Sequence, residues 1–205
     1  MLRTIHLLGF PALLLALLFG IAACSGLLNS NQPAERVYWL EPLIVPKAVV
    51  ADGAPPSLAV AVSAAPGLDT NRLLILGPGA RLNHYAEARW PDNFPEVLES
   101  LLRTTLESTG QYSRVTTQSG YRSADRALNL EVRELYTLAS ASENTVRMVL
   151  RGYVSCSESD HVIAMQANVG IDDNRLSQIV AAYQRALHEI SAQLVTQLSE
   201  ACNVG

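Results

Sequence analysis

The stretch ALNLEVRELYTL, residues 127–138, decides the fold. Apolar and polar residues alternate along it, which is typical of a β-strand with one covered face. TVRMVLRGYVSC (145–156) has the same period, and HVIAMQANV (161–169) follows it across SESD. The covered faces carry Leu128, Leu130, Val132, Val146, Met148, Leu150 and Val154, with Arg147, Arg151 and Tyr153 opposite. We predict three long antiparallel strands.

Helical periodicity predicts two helices around these strands. The first covers 93–109 and the second closes the chain from about residue 174. Their stripes are Phe94, Val97, Leu98, Leu101, Leu102 and Leu106, then Leu176, Ile179, Tyr183, Leu187, Ile190, Leu194 and Leu198. We interpret the second stripe as core, with a partner-binding face as the alternative.

Shorter strand patterns complete the sheet. They are VYWL (37–40), SLAVAVSAA (57–65), a hairpin of 72–76 and 80–85 around GPG, and 112–118. The predicted fold class is therefore α+β: a mainly antiparallel β-sheet with two α-helices packed on one face.

The start of the chain resembles a secretory signal. Arg3 precedes an almost wholly apolar run, and small residues follow it. We predict a signal peptide over 1–23, with an uncleaved signal anchor as the alternative. The chain that remains after residue 23 is mildly acidic. The full chain carries a formal charge of −4, and the predicted signal peptide removes one cation, Arg3, and no acidic residue. That balance argues against a nucleic-acid partner.

The end of the apolar run resembles a bacterial lipobox, Ile21-Ala22-Ala23-Cys24. The resemblance implies that Cys24 carries a diacylglyceryl thioether and becomes the first residue of the mature chain. Two or three acyl chains hold a protein on a membrane almost permanently. We expect a lipidated tether over 24–36 and a domain over 37–205. Ser25, in place of Asp, resembles an outer-membrane signal of enterobacterial lipoproteins, so we expect an anchor in the outer rather than the inner membrane, facing the periplasm.

Two further cysteines, Cys156 and Cys202, leave two interpretations open. In an oxidising compartment they predict a disulfide across 46 residues, which contributes about 4 kcal/mol in the chain-entropy model. The alternative is two free thiols that lie too far apart to meet.

The region 71–115 is similar to the ABC-type transport auxiliary lipoproteins, the PqiC-like family. The shared features are an Arg-initiated strand, a Tyr-bearing strand, Arg-Trp before a striped helix, and Gly-x-aromatic after it. In this chain they are Arg72, Tyr85, Arg89-Trp90, the helix from Phe94 to Leu106, and Gly110-Gln111-Tyr112. The SCSESDH turn and the Cys156/Cys202 pair depart from the family pattern.

The resemblance implies an accessory subunit of an envelope transport system. Its expected partners are an MCE-type substrate-binding protein and an ABC permease with its ATPase, which move phospholipids or other hydrophobic compounds between membranes. Family relatives also form homo-oligomers. A periplasmic carrier of lipid or small ligands and a lipoprotein regulator of another envelope enzyme are the alternative functions.

The sequence predicts neither a catalytic set nor a metal site. His84, His161 and His188 are scattered, and no Gly-x-Ser-x-Gly elbow is present. Asp172 and Asp173 precede a helix, where carboxylates stabilise the helix end. We predict a non-enzymatic protein with no cofactor beyond the lipid on Cys24.

Tyr85, Arg89 and Trp90 are the predicted partner-contact surface. Trp and Arg are enriched among the residues that dominate binding energy at interfaces. The alternative is that Trp90 packs beneath the 93–109 helix while Arg89 is solvated.

Overall fold

The structure, a computed structural model, describes residues 34–47, 54–117, 124–140, 144–156 and 159–202. The predicted signal peptide, Cys24 and most of the predicted tether lie outside these residues, as do the first two residues of SESD and the last residue of the 112–118 strand. All the elements described below belong to one unit, Glu35–Gly205.

Within the described residues, eight strands and two longer helices follow one another. The strands are β1 Arg36–Val37, β2 Ser57–Ala64, β3 Arg72–Gly77, β4 Arg81–Arg89, β5 Arg114–Thr116, β6 Arg126–Leu138, β7 Thr145–Cys156 and β8 Ser159–Gly170. The helices are α1 Phe94–Ser108 and α2 Leu176–Cys202, and a short 3-10 turn, Pro78–Ala80, joins β3 to β4. The predicted α+β class with two helices is confirmed.

The sheet is mixed rather than purely antiparallel. β6, β7 and β8 form the predicted antiparallel meander, and β3 pairs with β4 in the same sense. β2 instead lies parallel to both β5 and β6, β3 runs parallel to the end of β6, and β1 runs parallel to β4. A parallel pair needs a crossover connection, and the chain between β2 and β5 supplies one that contains α1.

A β-bulge in β6 explains why its pattern changes phase. Val132 lies opposite Leu150, but Glu134 lies opposite Val149, so Arg133 is an extra residue. Beyond the bulge Leu135 is buried, whereas strict alternation would have buried Glu134. The sequence pattern before the bulge predicted the covered face correctly.

Both helices pack on the same face of the sheet and contact each other. α1 covers β2 and β5, whereas α2 covers β7 and β8. The stripe of α2 is core, as predicted: Ile179, Tyr183, Leu187, Ile190, Leu194 and Leu198 are all buried. α1 ends at Ser108, and Gly110 just beyond it has a φ of +70°, a conformation that glycine adopts without strain.

Glutamine side chains from α2 cover the outer edge of β8. The amide of Gln193 bonds both the N–H and the carbonyl of Gln166, at 3.2 and 2.9 Å. Gln197 bonds Ala164 in the same way, at 3.1 and 2.9 Å. A free strand edge is a template for pairing with another chain, so these two side chains protect it.

Candidate functional site

Trp90 lies in the core and not on the surface. Its side chain is fully buried, and its ring contacts those of Phe94 and Tyr183 at centroid distances of 5.6 and 5.3 Å. The backbone N–H of Trp90 donates to the carbonyl of Asn71 at 2.7 Å. A ring without exposed surface cannot contact a partner, so the prediction of Trp90 as a partner contact is corrected. The alternative, packing beneath the helix, describes the structure.

Tyr183 completes this aromatic cluster between the sheet and the helices. Its hydroxyl donates to the carbonyl of Leu74 at 3.3 Å, and burial raises the pKa of its phenol. The hydroxyl is therefore neutral at physiological pH and acts as a hydrogen-bond donor to β3. Trp90 and Phe94 lie at the start of α1 and Tyr183 lies on α2, so the cluster joins these two parts of the chain.

Tyr85 and Arg89 lie near the edge where β1 meets β4. Tyr85 is half-buried, and burial raises its pKa. The Nε of Arg89 is 3.6 Å from a carboxylate oxygen of Glu35, and Arg72 donates to the other oxygen. The hydrogen bond and charge of Arg72 lower the pKa of Glu35. Arg89 is thus engaged within the domain.

Residues 38–47, which we call the strap, cross the two helices without forming helix or strand. The N–H of Tyr38 donates to the carbonyl of Arg89 at 2.9 Å, and the N–H of Val45 donates to the hydroxyl of Ser108 at 2.9 Å. The side chain of Leu40 is buried, with 4% of its surface exposed. The strap is therefore fixed at both ends and near its centre.

Gln184 on α2 makes the central attachment of the strap. Its carbonyl oxygen accepts the N–H of Glu41 and its amide nitrogen donates to the carbonyl of Glu41, both at 2.8 Å. His188, one turn later, places Nε2 3.3 Å from that carbonyl. A glutamine side chain carries both an N–H donor and a carbonyl acceptor. It can therefore form the two backbone hydrogen bonds that a neighbouring β-strand would otherwise supply.

The strap exposes two large apolar side chains. Trp39 has 74% of its surface exposed and Ile44 has 65%. Trp39 also lines a groove of about 380 Å³ along α1, together with Leu40, Pro91, Asp92, Glu96, Val97, Ser100 and Leu101. Of the two tryptophans in the sequence, one is therefore a core residue and the other forms a surface.

Sequence reasoning missed this surface because it interpreted VYWL, 37–40, as a strand. Only Arg36–Val37 pairs with β4, so the strand prediction is wrong beyond Val37. Pro42 and Pro46 follow closely, and proline has no N–H to give to a ladder. That spacing was the available signal that Trp39 belongs to an irregular segment.

The face of the sheet opposite the helices carries a second, more polar groove. Its volume is about 380 Å³, and Arg133, Arg151, Tyr153 and Val162 are among its lining residues. Val162 has 84% of its surface exposed. Charged and apolar groups are mixed here.

Beside the second groove, Glu134 accepts hydrogen bonds from Arg147 and from the hydroxyl of Tyr136. The Arg147 hydrogen bond lowers the pKa of Glu134, and burial with the Glu134 carboxylate nearby raises the pKa of Tyr136 to about 12. This cluster is internally paired.

A third groove, of about 470 Å³, runs between α1 and β5. Glu99 lines it and accepts the N–H of Val62 at 3.1 Å, while burial raises the pKa of Glu99. That N–H lies on β2 beyond the end of the short strand β5. The Glu99 carboxylate thus accepts a backbone N–H of β2 that β5 is too short to pair with.

Cys156 and Cys202 are adjacent at the ends of β7 and α2. Their Cα atoms are 5.7 Å apart, and the structure joins their sulfur atoms in a disulfide. Arg126 donates to the carbonyl of Cys202 at 3.3 Å, which adds a second attachment for this end of the helix.

The described residues contain neither a candidate metal site nor a candidate membrane-spanning helix. In that part of the chain, no group of three or more His, Cys, Asp or Glu side chains could hold a metal ion. None of its helices combines the length and the apolar character that crossing a membrane requires.

Comparison with known families gave one match. The family model described as ABC-type transport auxiliary lipoprotein component matches residues 38–195. The match begins at the first residue of the strap and ends within α2. No curated protein sequence matches the chain significantly.

Comparison with solved structures supports the fold. The crystal structure of protein XCC0632 from Xanthomonas campestris, described with the family model DUF330, has a TM-score of 0.65 at 20% identity; the alignment covers 78% of this chain and 92% of that one. A second crystal structure, of an uncharacterized protein, has a TM-score of 0.63 at 12% identity and covers 82% and 100%. At such identities the likeness concerns the fold alone.

Proposed function

Because the chain belongs to the family of ABC-type transport auxiliary lipoprotein components, we propose that it is a non-enzymatic, lipid-anchored subunit of an MCE-type transport system. In this role it links a periplasmic MCE-type substrate-binding protein, with its permease and ATPase, to a membrane. The cargo class is phospholipid or another hydrophobic compound. The family match over 38–195 is the observation that carries the proposal.

The proposed anchor is Cys24 with its acyl chains. The lipobox motif Ile21-Ala22-Ala23-Cys24 supports it, and Ser25 favours the outer membrane. Each buried methylene contributes about 0.8 kcal/mol, so several chains keep the domain on the membrane for the lifetime of a complex. Separation of the two membranes on a sucrose gradient tests the location. Recovery with the inner membrane would overturn the outer-membrane assignment and leave the anchor intact.

The packed interior supports docking over carriage of cargo. The space between the sheet and the helices is filled where Trp90, Phe94 and Tyr183 meet, and all three are fully buried. A carrier would need a cavity at this place, lined by apolar side chains and large enough for an acyl chain. The grooves described above lie on the surface and are open to solvent.

Recovery of the partners tests the proposal. The full chain with a tag after Gly205 is crosslinked in cells, purified and identified by mass spectrometry. The proposal expects an MCE protein together with a permease and an ATPase. Recovery of a cell-wall enzyme would favour the regulator function instead, and recovery of the lipoprotein alone would overturn the proposal. A Cys24→Ser variant is the matched control, in which these partners should be depleted because the anchor is lost.

A further inference from the structure

The strap combines exposed apolar side chains with a fixed backbone. Trp39 lies between the attachments of Tyr38 and Glu41, and Ile44 precedes the attachment of Val45. Both side chains nevertheless point into solvent: Trp39 has 74% of its surface exposed and Ile44 has 65%. Large apolar groups that a fixed backbone keeps exposed together mark a site of contact with a protein, a membrane or a ligand.

The distance along the chain from the proposed anchor limits which surface can reach the membrane. Ala34 is ten residues after Cys24 in the sequence. Ten residues span at most ~35 Å when fully extended. A domain of this size is ~40 Å across. The tether is therefore too short to bring the far side of the domain to the membrane, whereas the strap begins four residues after Ala34.

Among the described residues, Val162 is the most exposed large apolar side chain outside the strap, and the sheet topology places it far from the point where the tether enters. The sheet branches at β6: β1, at the tether, ends the arm β6-β3-β4-β1, whereas β8 ends the separate arm β6-β7-β8. Val162 on β8 also faces away from the helices that the strap crosses, since its neighbour Ile163 faces them and is buried. The strap and Val162 therefore lie on opposite faces of the domain. Of the two, the strap is the one that the short tether from Cys24 can hold against the membrane.

The chemistry of the strap fits a lipid surface. Tryptophan is enriched at membrane interfaces, because its ring is apolar and its N–H remains hydrated. Lys47, the single lysine of the sequence, is exposed at the end of the strap and can reach a lipid phosphate. Asp92 and Glu96 border the groove beside Trp39. The contact is thus apolar in origin, because Lys47 is the one basic residue of the strap.

We propose that the strap rests on the membrane that anchors the chain, with Trp39 and Ile44 inserted at the headgroup level. This inference rests on the lipid anchor of the proposed function. It gives the domain a fixed orientation, with the helices towards the anchoring membrane and the opposite face of the sheet, which carries Val162, away from it. The remaining surface is left for the transport partners.

Depth-dependent quenching of Trp39 tests this orientation. The mature lipidated protein is reconstituted in vesicles of phosphatidylethanolamine and phosphatidylglycerol. Its tryptophan emission is measured with doxyl groups near the lipid headgroups, and separately with acrylamide in the water. Subtracting the emission of a Trp39→Phe variant isolates Trp39 without disturbing the buried Trp90. A Val162→Trp change in the Trp39→Phe background is the matched control on the opposite face of the sheet.

The proposal expects Trp39 emission at shorter wavelength, strong quenching by doxyl lipid and protection from acrylamide. The tryptophan at 162 should show the reverse. Equal acrylamide access at both positions would overturn the proposal, and so would protection of Trp39 only after transport partners are added, since a protein would then cover it. If the protein does not float with the vesicles, the anchor itself fails, and the proposed function with it. If it floats and Trp39 stays in water, only the orientation fails.

Discussion

Gln184 binds the backbone of Glu41 at both its N–H and its carbonyl, each at 2.8 Å. Through this pair the last helix fixes a segment that lies more than 140 positions earlier in the sequence. The strap owes its position to a side chain that imitates a neighbouring strand. Trp39 and Ile44, on either side of Glu41, are displayed as a result.

Removing the Gln184 amide should loosen the strap while the domain stays folded. Gln184→Ala removes two hydrogen bonds, each contributing ~1 kcal/mol. Local opening at Glu41 should then become at least ~10-fold more frequent. Amide hydrogen exchange of the 38–47 peptide measures this change. Gln197→Ala is the matched control, because it removes the same two bonds from Ala164 and should accelerate exchange in β8 only. Faster exchange throughout the domain in the Gln184 variant would contradict a local role.

The two tryptophans should respond oppositely to substitution. Trp90→Ala should lower the free energy of unfolding by ~3–5 kcal/mol, because it leaves a cavity between Phe94 and Tyr183. Trp39→Ala should change it by less than ~0.5 kcal/mol, because the ring is mostly in solvent. Urea unfolding followed by circular dichroism compares the two. A Trp39 variant as unstable as the Trp90 variant would show that the strap is part of the core.

Gly152 should tolerate no side chain. A Cβ built at this position would lie 1.8 Å from the carbonyl oxygen of Asn129 on the paired strand. Because backbone cannot yield as a flexible side chain can, Gly152→Ala should destabilise the domain by ~3 kcal/mol or more. Thermal unfolding measures the loss. Gly77→Ala is the control, since its Cβ would meet Arg81 at an ordinary 3.8 Å. Equal melting temperatures for the two variants would refute the close approach of β6 and β7.

Reduction should destabilise the domain through Cys156 and Cys202. The disulfide closes a 46-residue separation that contains β8 and most of α2. Its loss should cost ~2–5 kcal/mol. Alkylation of the native protein before and after reduction, read by mass spectrometry, should label neither residue at first and both afterwards. Labelling of both residues in the unreduced protein would contradict the bond.

The periodic parts of this fold were predictable from sequence, and the pairing of its shorter strands was not. Alternation in 145–156 and the helical stripe of α2 follow from side chains that share one covered face. The partner of β2 does not follow from its own sequence, because parallel pairing depends on where the chain returns after α1. The β-bulge at Arg133 could not be predicted from sequence either. One extra residue only shifts the alternation of apolar and polar residues in β6 by one position.

The candidate surface was predicted at the wrong tryptophan for a physical reason. Trp90 and Trp39 both lie in short proline-containing segments, and neither segment has a periodic pattern that reports burial. Burial of Trp90 depends on Tyr183, which lies 93 positions later. Exposure of Trp39 depends on the attachments of the strap to α1 and α2. Both are tertiary contacts that local sequence does not encode.

The account depends most on the proposal that a lipid-modified Cys24 anchors this domain to a membrane. The mass of the mature protein, extracted from membranes with detergent, tests this claim most directly. The account predicts a chain that begins at Cys24 and carries the mass of its acyl groups on the amino-terminal peptide. A chain that retains residues 1–23, or an amino-terminal Cys24 without added mass, would contradict it.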